Sequence, residues 1–574
     1  MSPSYSVAWT RARHPIKGFH HLKTLLALAL LFTILNALKP ICIDDALYYY
    51  RARQVAEHPL DPYGFNIFWN DSPEPAIQVL APPLFPYYWA IAIRLFGERP
   101  FLWKLWLLPL SLMLIFSLHA LLRRFAPGHE LWMTWMTIIS PVFLPGFNLM
   151  LEVPVAALSL LALNLFLRAC DRESFVWAAL AGLVNGLAME TKYTAFVTAG
   201  VILLYALIFK RLRLGILAAS LAVLLFASLE GLTAWRYGHS HFLYQSGVYG
   251  SVNLFKKYLY LAGPLITLMG TLAPALALLG LTTLKVRGRF IVLAAALVVL
   301  GYLTLAFVPE QYQVIKRAPG TSEEWLTLTH IIFGIFGVVV YGTLGIVIWR
   351  LCGLSPDWRS YLKRWRDYRV EWFLVLWLLL EIAGYFALSP IPAVRRLPGL
   401  LIASTLLISR LATQICRGAQ CRQLLRAVVI GSMALGLLFY VVDLHDAAAE
   451  KTAAERTAQK IAETGSSGNV WYVGRWGFQY YAERLGMKPV VPDESDFHEG
   501  DWLVVPDSPY FPQPVSAHIN RYRIELVAHL SVEDSLPLAT MMGYYNSGTP
   551  LKHHEGPRRT VKLYRLHLAV TPLE

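Results

Sequence analysis

Charge is scarce in this chain. Only 15% of its 574 residues are Asp, Glu, Lys or Arg, against 56% hydrophobic ones, and the mean hydropathy is +0.46. That balance excludes a soluble globular protein of this size. Acidic residues are rarer than basic ones, 37 against 51, for a formal net charge of +14. The basic excess does not form the continuous face that nucleic acid requires. It gathers in short loops between apolar runs, which is the positive-inside pattern of a membrane protein. Cysteine is almost absent, at five positions: Cys42, Cys170, Cys352, Cys416 and Cys421. Only Cys42 falls near the outer face in the topology below, so no outer disulfide is expected. The Cys416 and Cys421 spacing has no neighbouring His or Cys to make it a metal site. The sequence also shows no Gly-rich nucleotide loop, no internal repeat and no matched pair of broken helices of the transporter kind.

What the chain has in quantity is apolar runs of roughly 17 to 25 residues, the length of a membrane-crossing helix. The first, about Leu25 to Leu38, lies behind Arg11, Arg13, Lys17 and Lys23. It reads as a retained span leaving the cytoplasm rather than a cleaved signal. Counting onward, through runs such as 101–122, 131–150 and 260–284, predicts about thirteen spans, a cytoplasmic N-terminus and an outer C-terminus. Residues 40–100 form a long outer segment. It holds an amphipathic helix from Ala46 to Glu57, the aromatic patch Phe65, Phe68 and Trp69, and a Pro- and aromatic-rich stretch from Ala81 to Gly97. That stretch reads as a helix lying along the interface. After Asp443 the composition changes. Short strands at 470–473, 489–491, 502–505, 523–527 and 560–564 and a helix at 478–485 predict a small α/β domain. The expected division is a membrane domain over 1–443 and an outer domain over 444–574.

The chemistry-bearing residues collect on the outer side of this topology. Asp44 and Asp45 follow the first span, where an ionisable pair is costly and so a functional candidate. A plainer reading makes them the N-cap of the helix that follows. Glu152 sits in the tight turn 148–154, and Glu190 and Lys192 sit in 186–193. Arg236, His239 and His241 follow another span, Lys256 and Lys257 precede the next, and Arg395 and Arg396 lie in 389–398. Glu152 could instead cap a helix ahead of Pro154, the lysines could snorkel to headgroups, and the histidines could be ordinary interface polarity. Acidic and basic residues meeting beside lipid suit a lipid phosphate held by cations, with a carboxylate poised as base.

Taken in order, Asp44-Asp45, Pro82-Pro83-Leu84, Glu152-Val153-Pro154, Thr191-Lys192-Tyr193 and Arg395-Arg396-Leu397-Pro398 resemble the GT-C glycosyltransferases. The nearest group is the bacterial family 39 relatives of protein O-mannosyltransferases, together with the lipid A aminoarabinose transferase. The stretch Trp471 to Tyr481 resembles the outer domain of some bacterial members. The resemblance implies a mainly α membrane protein: a GT-C polytopic bundle with juxtamembrane helices and a small C-terminal α/β domain. It implies an inverting transfer from a polyprenyl-phosphate sugar to an acceptor hydroxyl or phosphate, at the outer face of a bacterial inner membrane. Partners would be that donor, a lipid, glycan or protein acceptor, and membrane lipid. Asp44 matches the base, Asp45 stands where the family usually carries Glu, and Glu152 matches the second acidic position. Lys192, Arg395 and Arg396 match cations that hold the donor phosphate. Tyr48, Arg51, Pro83, Tyr87 and His241 would shape the donor and acceptor pocket. No nucleotide is implied, and a divalent metal is left open. The competing reading is a transporter or lipid flippase, for which Glu230 and Glu381, in or near apolar runs, are the only suggestive charges. A non-catalytic assembly subunit is the third.

Overall fold

The computed structural model describes residues 18–68, 72–79, 81–250, 254–317, 324–352, 365–416, 418–465, 467–491, 494–507, 522–540, 545 and 548–568. Trp69 lies outside them. Helices dominate, and among the described residues nine are long and apolar enough to cross a membrane. The count is ten if the pair Lys256–Leu272 and Pro274–Thr283, bent by 70°, is one span. The chain is therefore a multi-pass helical membrane protein, but the expected thirteen spans are not found. Three runs fall short for local reasons. Phe175–Met189 and Tyr193–Ile208 are helices below spanning length. The run 131–150 is helical only over Glu130–Ile138. Pro141 and Pro145 lie in the part that follows, where a missing N–H and a fixed φ do not suit a helix interior. Residues 139–151 instead make buried turns.

The outer segment folds much as its pattern suggests. Helix Asp45–Glu57 packs against helix Leu84–Phe96 through Val55, Ala56 and Ala90. Arg94 Nε donates to the Ala56 carbonyl at 2.8 Å. Between them, Asn66–Phe68 and Pro73–Pro75 pair as an antiparallel hairpin.

The last span continues without a break into the C-terminal domain. Ala419–Glu463 is one helix of 45 residues, so the boundary expected at 443/444 falls inside it. Its final turns place Ala453, Ala454 and Ile461 under a five-stranded sheet, against Tyr472, Trp502, Val504 and Leu563. The sheet order is Lys488–Pro489, Val470–Tyr472, Trp502–Pro506, Arg559–Leu568, Tyr522–Val532. The first two junctions are parallel and the rest antiparallel, with Leu563 opposite Val504. Helix Trp476–Arg484 docks this domain onto the juxtamembrane helix. Tyr480 meets the Tyr49 ring edge-on at 5.1 Å, and Tyr481 OH accepts from the Ile41 N–H at 2.9 Å. The approach is tight at Gly477, where a Cβ would lie 2.2 Å from Glu450 Oε2 and 3.0 Å from the Ile41 carbonyl oxygen. Cys416 and Cys421 are joined as a disulfide, and Cys42, Cys170 and Cys352 are buried thiols.

Candidate active site

Asp44 and Glu152 reach one cavity from two different turns. Asp44 follows Ile43, whose φ of +46° is unusual for a β-branched residue. Its carbonyl accepts the Tyr48 N–H at 3.1 Å, so the main chain does begin the helix Asp45–Glu57. Its side chain makes no cap bond and instead forms an ion pair with Arg395. Glu152 is the first residue of the helix Glu152–Arg172, and Lys192 Nζ donates to its Oε1 at 2.6 Å. Arg395 and Arg396 belong to the single 3-10 turn Val394–Arg396, which leads into the helix Pro398–Ile415.

These five side chains line a cavity of about 380 Å³, with Tyr48, His241 and Lys257 also on its wall. Three cations face two carboxylates, so the cluster of five carries one net positive charge and favours an anion. Lys192 registers this excess. Burial, with the two arginines, outweighs the attraction of Glu152 and pushes its ammonium down to about 8. Tyr48 is pushed well above the ordinary phenol range by burial and by the charges of Asp44 and Glu152.

A second crevice, of about 100 Å³, shares Glu152, Lys192, Arg395 and Arg396 with the cavity. From them it runs between apolar helices along Val155, Leu160, Val201 and Ile402. The cations therefore stand on the wall shared by the charged cavity and the more apolar crevice. Glu381 lines this crevice and accepts from Trp377 Nε1 at 2.9 Å.

On another wall, Tyr193 OH lies 2.9 Å from Glu230 Oε1 and 2.5 Å from His241 Nδ1. Ser240 Oγ and the Phe242 N–H donate to Glu230 Oε2 at 2.6 and 3.0 Å. A hydroxyl that donates to the carboxylate can only accept from the imidazole, which puts the histidine's proton on Nδ1. His241 is thus held by a side-chain network rather than left as surface polarity. Nearby Glu190 is buried, and its carboxyl is pushed up to about 8 by that burial and by the charge of Glu230.

Four expected site residues stand behind the cavity wall. Asp45 is wholly buried. Its Oδ1 accepts the Leu149 N–H at 2.8 Å, and Lys104 Nζ lies 3.5 Å from its Oδ2. Arg51, also fully buried, bonds the Ala81 carbonyl and lies over the Tyr63 ring at 4.0 Å. Tyr87 OH donates to the Pro59 carbonyl at 2.6 Å. Pro83 is the N-cap of the helix Leu84–Phe96, and its neighbour Pro82 reaches the cavity wall in its place. Arg51 and Tyr87 are drawn off by bonds within the outer segment, and Asp45 by partners beyond it, at Leu149 and Lys104. Sequence reasoning also passed over Lys104. A lysine inside the predicted span 101–122 was the available signal, because such a charge in an apolar run requires a partner. Among the described residues no three His, Cys, Asp or Glu form a group that could hold a metal ion.

Residues 81–234 match the family model described as dolichyl-phosphate-mannose-protein mannosyltransferase. The stretch includes Glu152 and Lys192. This match agrees with the GT-C resemblance over that stretch, and the architecture is a multi-span helical bundle with a small C-terminal sheet domain. No curated protein matches the chain. Among solved structures, the archaeal oligosaccharyltransferase AglB of Archaeoglobus fulgidus, in complex with an inhibitory peptide and a dolichol-phosphate, is similar at 15% identity and a TM-score of 0.45. The similarity covers 85% of this chain and 69% of that one. ArnT of Cupriavidus metallidurans, bound to undecaprenyl phosphate, is similar at 15% identity and a TM-score of 0.45, over 95% and 98% of the two chains. The arabinosyltransferase EmbB of Mycobacterium smegmatis is similar at 13% identity and a TM-score of 0.34, over 75% and 40%.

Proposed function

We propose that this protein is an inverting glycosyltransferase that takes its sugar from a polyprenyl-phosphate donor. The observation that carries the reading is the net-positive cluster on the wall shared by the charged cavity and the more apolar crevice. The lipid chain lies in the crevice, the phosphate meets Lys192, Arg395 and Arg396, and the sugar projects into the cavity beside Asp44. An acceptor hydroxyl attacks the anomeric carbon and passes its proton to the Asp44 carboxylate. The bond from that carbon to the phosphate oxygen breaks, and the cations stabilise the charge left on the lipid phosphate. Base catalysis of this kind contributes roughly 10²–10⁴-fold.

The ion pair of Asp44 with Arg395 gives the order of events. With no donor present, the guanidinium neutralises the carboxylate. An arriving phosphate competes for Arg395 and leaves Asp44 to accept a proton. Glu152 keeps Lys192 in place and its charge balanced. The reading places this site at the outer face of a bacterial inner membrane, with the N-terminus in the cytoplasm. Mass spectrometry of glycolipids and glycoproteins from cells with and without the gene tests it. A product lacking one sugar unit in the deletion supports a transferase, and unchanged glycan profiles contradict it.

A further inference from the structure

Below the cavity lie six fully buried charges, Lys39, Lys104 and Arg558 against Asp45, Asp443 and Asp446. Three of each sign balance, and they are linked in a line from the first span to the sheet domain. Asp45 holds the Leu149 N–H and faces Lys104. Lys104 Nζ donates to the Lys39 carbonyl at 2.8 Å. Lys39 Nζ donates to the Pro145 carbonyl at 2.6 Å and to Asp443 Oδ2 at 2.5 Å. The C-terminal domain supplies the remaining partners. Thr540 Oγ1 donates to Asp443 Oδ1 at 2.9 Å, and the Thr540 N–H donates to Asp446 at 2.7 Å. Tyr545 OH lies 3.3 Å from Asp443 Oδ2 and accepts from Asn148 Nδ2 at 2.7 Å. Arg558 pairs with Asp446 and, at 2.6 Å, with Asp534.

Both acid-bearing segments need such support. Residues 39–44 and 139–151 are not helical, so no helical ladder fixes where they deliver Asp44 and Glu152. The Asp45–Leu149 bond ties one segment directly to the other, three residues before Glu152. Pro145, Asn148 and Lys39 are the points at which Tyr545 and Asp443 hold them.

We propose that the C-terminal domain is a positioning element of the transfer site: Thr540 and Tyr545 clamp the Lys39–Asp443 pair and the turn at Pro145–Leu149, and through these they set the relative position of Asp44 and Glu152. The proposal rests on the transferase reading for its catalytic part only. A carboxylate displaced by about an ångström costs rate far more than it costs substrate binding. None of the clamp residues touches the cavity, so loosening them reaches the donor only through Asp44 and Glu152 and lowers kcat more than it raises donor KM.

The test uses the full-length protein in lipid nanodiscs. Two variants are compared with wild type: Tyr545→Phe, and the charge-neutral pair Lys39→Met with Asp443→Leu, which leaves neither partner as a stranded charge. Amide exchange is followed by mass spectrometry in peptides covering 39–45 and 145–152, and transfer is followed with a polyprenyl-phosphate sugar. The proposal expects faster exchange in both peptides, kcat lower by about tenfold and donor KM within about twofold. Wild-type exchange in both variants overturns it, as does faster exchange with unchanged kcat, which would make the contacts merely structural. If wild type itself transfers no sugar, the transferase reading fails, while the exchange result still decides whether the clamp exists.

Discussion

Lys192 shows how far a single side chain's setting governs this site. Its ammonium is pushed down to about 8 by burial and by Arg395 and Arg396, against the pull of Glu152. Its charge is therefore lost as the pH climbs through about 8, well before that of an ordinary lysine at 10.5. We predict that affinity for undecaprenyl phosphate, titrated from about pH 6.5 to 9.5, falls across this range. In Lys192→Arg the fall disappears, because a guanidinium stays charged throughout. A flat wild-type profile contradicts the assignment. For stability the sign is opposite. The folded state holds this proton less tightly than the unfolded chain, so the burial penalty is present below about 8 and relieved as pH rises toward 10.5. At this scale the sequence was most informative where charge stood against an apolar background. Asp44, Glu152, Lys192, Arg395 and Arg396 do converge on one cavity. It was least informative where two neighbours share a type. Asp44 faces the cavity and Asp45 is buried behind it, and adjacent carboxylates give no sign of which way either turns.

Among the elements, the turns at 139–151 were the least legible. An apolar run between two spans reads as a third, yet this one folds back on Pro141 and Pro145 and is buried by its neighbours. Its path is set by distant partners, Asp45, Tyr545 and the long helix, which no local pattern reveals. Gly436 on that helix marks the closest approach. A Cβ there would lie 1.8 Å from the Ile139 carbonyl oxygen and 3.0 Å from the Ser140 carbonyl carbon. These are backbone atoms that cannot rotate aside. Gly436→Ala should cost about 1–3 kcal/mol by overpacking. Thermal unfolding in detergent checks this, and an unchanged melting temperature would contradict the contact. The bent pair at Lys256–Leu272 and Pro274–Thr283 carries a different lesson. The run 260–284 reads as one span in the sequence, yet the chain turns by 70° just ahead of Pro274.

At the scale of the whole molecule, the helix Ala419–Glu463 joins the two parts that the composition divides at residue 443. Its middle carries Asp443 and Asp446 into the buried ionic line, and its end carries the sheet. The parts are therefore not independent. Arg558, from the sheet domain, pairs with both Asp446 and Asp534. Removing one partner of a buried pair leaves a charge in a poorly solvated place and costs about 3–5 kcal/mol. Arg558→Met should accordingly lower the melting temperature of the whole protein in a single transition. Loss of the sheet domain alone, with the membrane domain melting as in wild type, would contradict that coupling. The class of the fold was legible because hydropathy and loop charge are properties of the whole chain. The coupling was not, because it depends on residues about 100 positions apart, such as Asp443 with Tyr545 and Asp446 with Arg558.

The account stands or falls on the Asp44 carboxylate, and the transfer rate of Asp44→Asn measures it most directly. The substitution keeps the shape of the side chain and removes the base, and it leaves Arg395 more available to a phosphate. Sugar transfer from a polyprenyl-phosphate donor should fall by roughly 10²–10⁴-fold, in a protein that still folds and binds undecaprenyl phosphate as wild type does or tighter. A folded Asp44→Asn protein that transfers sugar at the wild-type rate would contradict the account.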